Sequence, residues 1–153
     1  LTLHRTLSSE QDTQDLAAGL APLARRGDVI ALEGDLGAGK TVFARAFVTA
    51  LGGGDEVPSP TFTLVQSYEG TRDPIHHFDL YRLESPEDTF ELGLEELLPG
   101  GISLIEWPDR LGPYMPRDHL TIRMIENSST SRVVEAVSAG DWVYRLDELR
   151  ELF

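Results

Sequence analysis

The 153 residues are the length of one domain, and an apolar content of 41% is enough to bury a core over about two-thirds of the unfolded surface. A net charge of −13 argues against a stable autonomous complex with nucleic acid, because such complexes draw most of their affinity from cations that neutralise phosphates. With no cysteine, a disulfide framework, a thiolate zinc site and a cysteine nucleophile are all excluded, and any metal must be held by oxygen or histidine.

No segment approaches the ~20 apolar residues of a membrane span, and no basic stretch followed by an apolar one opens the chain. The expectation is therefore a cytoplasmic protein with no membrane contact, forming a single domain over 1–153. Its apolar segments alternate between strand-like and helix-like patterns, the βα order of an α/β domain.

In chain order, Ser8-Ser9-Glu10-Gln11 reads as a capping box that starts a helix running to about Arg26, with Leu16, Leu20, Leu23 and Ala24 on its apolar face. Asp28 to Glu33 is a short apolar run, as in a buried parallel strand that delivers the chain to a ligand loop. A helix from Lys40 to Leu51 follows and stops at Gly52-Gly53-Gly54. Thr61 to Tyr68 and Ile75 to Leu80 read as a hairpin about a turn at Glu69 to Pro74. Ser85-Pro86-Glu87-Asp88 starts a helix that ends near Leu98. Ile102 to Ile105 is a buried strand, and Pro108 to Pro116 a loop. Leu120 to Ile125 and Arg132 to Ser138 are expected to be antiparallel strands at one edge, before a short helix from about Leu146.

Between the first strand and its helix, Gly34-Asp35-Leu36-Gly37-Ala38-Gly39-Lys40-Thr41 satisfies G-x-x-x-x-G-K-[ST] at every fixed position, in the strand-loop-helix context that motif requires. Its glycines let backbone N–H groups turn inward on phosphates, and the helix adds the positive end of its dipole. Lys40 would reach the β- and γ-phosphates of ATP, and the Thr41 hydroxyl would be a ligand of Mg²⁺. Of the 13 basic residues only one is lysine, and it is this one.

A second strand should end in a carboxylate for Mg²⁺, and Leu104-Ile105-Glu106 offers Glu106; the competing reading is a solvated acid at a strand end. In His77-Phe78-Asp79-Leu80-Tyr81-Arg82 the strand period puts His77, Asp79 and Tyr81 on one face. Asp79 can then position the attacking water, accept its proton or bind Mg²⁺ through water, unless this is the solvated face of an edge strand. Thr61, in Ser59-Pro60-Thr61-Phe62-Thr63, lies where a γ-phosphate sensor can sit, or simply in a turn leading into a strand. His76 and His119 carry no metal-ligand spacing and are expected to be structural.

Four segments together resemble the TsaE (also YjeE) family: Gly34 to Thr41, Ser59 to Val65, His77 to Arg82, and Ile105-Glu106-Trp107-Pro108, with Glu91-Leu92-Gly93 also fitting. The resemblance spans roughly Ser8 to Ser138. It implies a P-loop NTPase fold, three-layer α/β/α with a mainly parallel central sheet and antiparallel edge strands. It further implies a Mg²⁺-dependent ATPase, weak alone, acting with the proteins TsaB and TsaD in bacterial tRNA threonylcarbamoyladenosine synthesis. The base concerned lies beside the anticodon in tRNAs reading codons that start with A, and the tRNA would be contacted only through the partners. By the same resemblance the nucleotide contacts are Ser9, Asp35, Gly37, Ala38, Gly39, Lys40, Thr41, Thr61, Trp107 and Arg132, the metal ligands are Thr41 and Glu106, and Asp79, Glu106 and Lys40 serve hydrolysis.

Two other functions compete. A small-molecule P-loop kinase would need a lid of phosphate clamps, for which Arg82, Arg110 and Arg117 lack a convincing spacing. A GTP switch reading its base through Asn-Lys-x-Asp is excluded, because no lysine exists beyond Lys40.

Overall fold

A computed structural model describes residues 2–35, 37–54, 57, 60 and 63–153. Its strands are β1 (Thr2–Leu7), β2 (Val29–Glu33), β3 (Val65–Glu69), β4 (Pro74–Asp79), β5 (Ile102–Glu106), β6 (His119–Glu126) and β7 (Arg132–Ala139). The α-helices are α1 (Glu10–Leu20), α2 (Lys40–Ala50), α3 (Leu94–Gly100) and α4 (Leu146–Arg150).

All of these strands join one sheet in the order β1-β7-β6-β2-β5-β4-β3. The four central strands, β6, β2, β5 and β4, run parallel, while β3 on one side and β7 with β1 on the other are antiparallel. This is the α/β arrangement expected, with one strand more than the sequence pattern marks. β1 alternates exposed and half-buried residues and finds its partner in β7, too far along the chain for any local pattern to announce. It makes β7 an inner strand, where an edge is expected.

The central strands are apolar on both faces because both are covered. Ile30 and Leu32 of β2, with Ile102 and Leu104 of β5, join a core beneath α1 and α2 that includes Phe43 and Phe47. Residues of opposite parity, Val29, Phe78 and Ile105, pack with Leu94 and Leu111 beneath α3 and the neighbouring 3₁₀ turns. The two faces meet the third-layer requirement of the fold.

Several boundaries differ from the pattern reading, each for a local reason. Ser9 is the N-cap of α1: its hydroxyl accepts from the Asp12 amide at 3.1 Å, while Ser8 N–H donates to the Asp12 carboxylate at 2.9 Å. That helix gives way after Leu20 to a 3₁₀ turn over Ala21–Leu23, where Pro22 cannot donate to an α-helical ladder. The helix starting at Ser85 does have its capping box, with Asp88 returning the bond, yet it is a 3₁₀ turn over Pro86–Leu92. Gly93, at φ 72°, breaks it from α3. Pro108 to Tyr114 is 3₁₀ where a loop is expected. The hairpin strand from Thr61 is shorter, β3 beginning at Val65, with Thr61 and Phe62 outside the described residues.

Candidate functional site

The loop between β2 and α2 has the backbone its glycines permit. Gly39, at φ 104°, is the N-cap of α2 and gives no side-chain cap, so that helix start keeps amides available to an anion. Gly34 stands at φ 150°, and a Cβ there would lie 2.7 Å from the Met124 carbonyl oxygen of β6. Gly34→Ala is therefore expected to destabilise the protein by about 1–3 kcal/mol and lower its melting temperature by several degrees. A calorimetric scan that superposes on wild type would refute the close packing.

Parallel pairing of β4 with β5 sets Asp79 directly beside Glu106, both at carboxyl ends of strands. Both share the parity of the α2-side core, so they converge on the helix start that carries Lys40 and Thr41. Asp79 and Glu106 are buried, at 6% and 3% exposure, and Lys40 at 5%. The strand bearing Asp79 is internal, so its polar face is not a solvated edge. Ionisable groups are withdrawn from water in this way only at a cost, and their clustering marks a functional site.

Lys40 Nζ makes no hydrogen bond among the described residues and lies 3.7 Å from the centroid of the Trp107 ring. Burial pushes the Lys40 ammonium below the ordinary lysine pKa, against the opposing pull of Glu106, Asp79, Asp35 and Asp109. Trp107 takes the left-handed conformation, φ 57° and ψ 53°, immediately after β5, and this reversal brings its ring over the lysine. Tyr81 packs against that ring at a tilt, 5.0 Å between centroids.

These groups line a cavity of about 630 Å³, large enough for a nucleotide. Of the residues expected in the site, the structure brings Ser9, Gly37, Ala38, Gly39, Lys40, Thr41, Asp79, Glu106, Trp107 and Arg132 to it. Arg132 reaches it by gripping the loop: its guanidinium donates to the carbonyls of Ala38 at 3.2 Å and Gly37 at 3.3 Å. Asp35 is not among them. It is exposed and lines a neighbouring cavity of about 530 Å³ that shares Ala38, Lys40 and Trp107 with the first. Thr61 falls outside the described residues, as do Leu36 and Ser59.

The cavity also contains residues that the sequence reading leaves out. Leu7 and Thr13 bring β1 and α1 to one wall, and Ser129 and Thr130, at the tip of the β6–β7 hairpin, form another. Beneath the floor, His77 Nε2 lies 2.7 Å from Glu106 Oε2. The signal for His77 is its place two residues before Asp79 on the same face. No local pattern marks the hairpin tip. His76, by contrast, is bonded to Ser67 Oγ at 2.8 Å, and His119 to the Pro116 carbonyl at 2.7 Å, both outside the cavity.

The donor set suits Mg²⁺ more than a tighter-held metal. Among the described residues no three His, Cys, Asp or Glu side chains gather into a cage. Mg²⁺ is ordinarily held by one or two carboxylates together with substrate phosphates and water, which is what a hydroxyl at Thr41 and a buried carboxylate at Glu106 would supplement. Lys40 Nζ, aimed into the same space without a hydrogen-bond acceptor, fits a phosphate beside that ion. Among the described residues no helix is long and apolar enough to cross a membrane.

Known proteins resemble this chain in sequence and fold. The crystal structure of Bacillus subtilis YdiB superposes with a TM-score of 0.82 at 31% sequence identity, covering 99% of this chain and 95% of that one. A Rickettsia conorii protein described as "tRNA threonylcarbamoyladenosine biosynthesis protein TsaE" is 48% identical over 105 residues, which is 68% of this chain and 60% of the relative. A Rickettsia felis protein of the same description is 39% identical over 147 residues, covering 88% of this chain and 86% of the relative. The family model for "Threonylcarbamoyl adenosine biosynthesis protein TsaE" matches residues 7–134, a span that begins at the cavity wall in Leu7 and takes in the loop, both strand-end carboxylates and Arg132. With the whole cavity inside that span, the chain belongs to the TsaE family, whose members act in tRNA threonylcarbamoyladenosine biosynthesis.

Proposed function

We propose that this chain, as a single domain over 1–153, is a Mg²⁺-dependent ATPase that works with TsaB and TsaD to sustain repeated tRNA modification. The observation that carries this reading is the convergence of Lys40, Thr41, Asp79 and Glu106 on one cavity. Lys40 binds phosphate oxygens as a point charge, and the α2 amides bind them through their dipoles. Thr41 and Glu106 hold Mg²⁺, which supplies neutralisation of phosphate charge when bound. Asp79, beside Glu106 in register, orients the attacking water or takes its proton. Arg132 keeps the loop carbonyls tied back so that the amides face inward. Ser9, and the segment containing Thr61, complete the nucleotide contacts.

The net charge of −13 supports an indirect relation to tRNA, held by the partners and not by this chain. The test is an ATPase assay with and without TsaB and TsaD, following free phosphate in Mg²⁺ and in EDTA. Partner-stimulated, Mg²⁺-dependent phosphate release is expected. Transfer of the phosphoryl group to a small-molecule acceptor would instead identify a kinase. Glu106→Ala is expected to lower turnover by about 10²–10³ while ATP affinity in EDTA stays near wild type. Full stimulated activity in that variant would remove Glu106 from the site.

A further inference from the structure

We infer that His77 is a positioning residue for the metal site: its ring N–H aims the Glu106 carboxylate. The inference rests on the reading of Glu106 as a Mg²⁺ ligand, and goes beyond it by naming what holds that ligand in place.

His77 is fully buried in β4, and its Nε2 lies 2.7 Å from Glu106 Oε2 in a pair whose side chains are 1% and 4% exposed. A carboxylate can only accept, so His77 presents an N–H at Nε2. Its Nδ1 is buried and, among the described residues, has no hydrogen-bond partner. The adjacent His76 differs: its Nδ1 is satisfied by Ser67. An apolar side chain in the place of His77 would fill the same room without leaving a buried nitrogen unpaired. Among the described residues, the one hydrogen bond the ring makes is therefore the one to Glu106.

That bond has a use. The β5 backbone of Glu106 is held by its strand neighbours, and its carbonyl accepts from Leu80 N–H at 3.1 Å, but these are main-chain contacts and do not orient the carboxylate. His77 ties one carboxylate oxygen and leaves Oε1 for a ligand in the cavity that Glu106 lines. A histidine or other donor behind a ligating carboxylate commonly changes metal affinity by about 10–100-fold when removed.

The experiment is calorimetric titration of the full chain with the imido analogue of ATP, in EDTA and across a Mg²⁺ series. The variants are His77→Leu, His77→Gln, His77→Asn and Glu106→Gln. His77→Leu is expected to raise the Mg²⁺ concentration for half-maximal effect by about tenfold, with affinity in EDTA unchanged. His77→Gln, whose amide reaches the place of Nε2, should stay within about threefold of wild type, whereas the shorter asparagine should behave like leucine. If the leucine and asparagine variants keep the wild-type Mg²⁺ requirement while Glu106→Gln loses it, the role of His77 is overturned and that of Glu106 stands. If Glu106→Gln also keeps the wild-type requirement, the metal-ligand reading fails and takes this inference with it. Should His77→Leu not fold, seen as no binding in EDTA, the glutamine and asparagine pair decides: equal requirements overturn the inference.

Discussion

Replacing Lys40 with alanine is expected to weaken ATP binding by about 10–100-fold and to cut partner-stimulated turnover by about 10²–10³, without lowering the melting temperature of the protein measured alone. The two halves of this expectation have one cause. The ammonium is buried and makes no hydrogen bond among the described residues, so its charge is a cost to the folded chain, visible as a pKa pushed below the ordinary lysine value. Glu106 and Asp79 offset that cost only in part. Alanine removes the charge along with the contact of the ammonium with the Trp107 ring, and these effects oppose each other to within about 1 kcal/mol. Phosphate binding has no such compensation, because the chain contains no second lysine to replace the first. Parallel measurements of ATP affinity, phosphate release and thermal unfolding check the expectation. A variant that unfolds many degrees early would show that Lys40 is structural.

The second large effect lies far from the cavity. Arg145 is 4% exposed and donates to both oxygens of Asp28, at 2.6 and 2.8 Å, to the Leu23 carbonyl at 3.0 Å and to Asp141 at 2.6 Å. Its guanidinium stacks on Trp142, 4.0 Å from the ring centroid. One side chain thus fastens the segment before α4 to the entry of β2, the strand that delivers the phosphate loop. Arg145→Ala strands the nearly buried Asp28 carboxylate and should cost about 3–5 kcal/mol, a fall in melting temperature on the order of 10 °C. The pH dependence has a definite sign. Arg145 holds the Asp141 carboxyl below its ordinary pKa of 3.8, chiefly through their hydrogen bond. The folded value being the lower one, this stabilisation is present above about pH 4 and is lost as pH falls through the depressed value. The gap between wild type and Arg145→Ala should therefore narrow in acid. A gap that is small at pH 7, or that widens below pH 4, would contradict this account.

The parts of the site that could be read from residue order are those whose chemistry is local. Eight consecutive residues suffice for a phosphate loop, since glycine freedom, a lysine and a hydroxyl must all act within one turn of one helix start. A strand ending in Glu106 and an alternating His77-Phe78-Asp79 likewise carry their own signal. Arg145 carries none: nothing around it announces Asp28, which is brought to it from the other end of the chain. The same is true of β1, whose ladder partner follows some 130 residues later in the chain, and of the hairpin tip at Ser129 and Thr130.

Composition, motif and period by themselves determined the α/β class, the phosphate loop, and the short list of carboxylates from which a metal ligand had to come. They could not show that Asp79 and Glu106 are neighbours, because which strand lies beside which, and in what register, depends on the packing of whole faces. Nor could they show that Asp35 lines a neighbouring cavity while Arg132 reaches back to hold the loop. The strand-to-strand register decided the site: it set one acid beside another, placed His77 behind Glu106, and brought both under the helix that begins at Lys40.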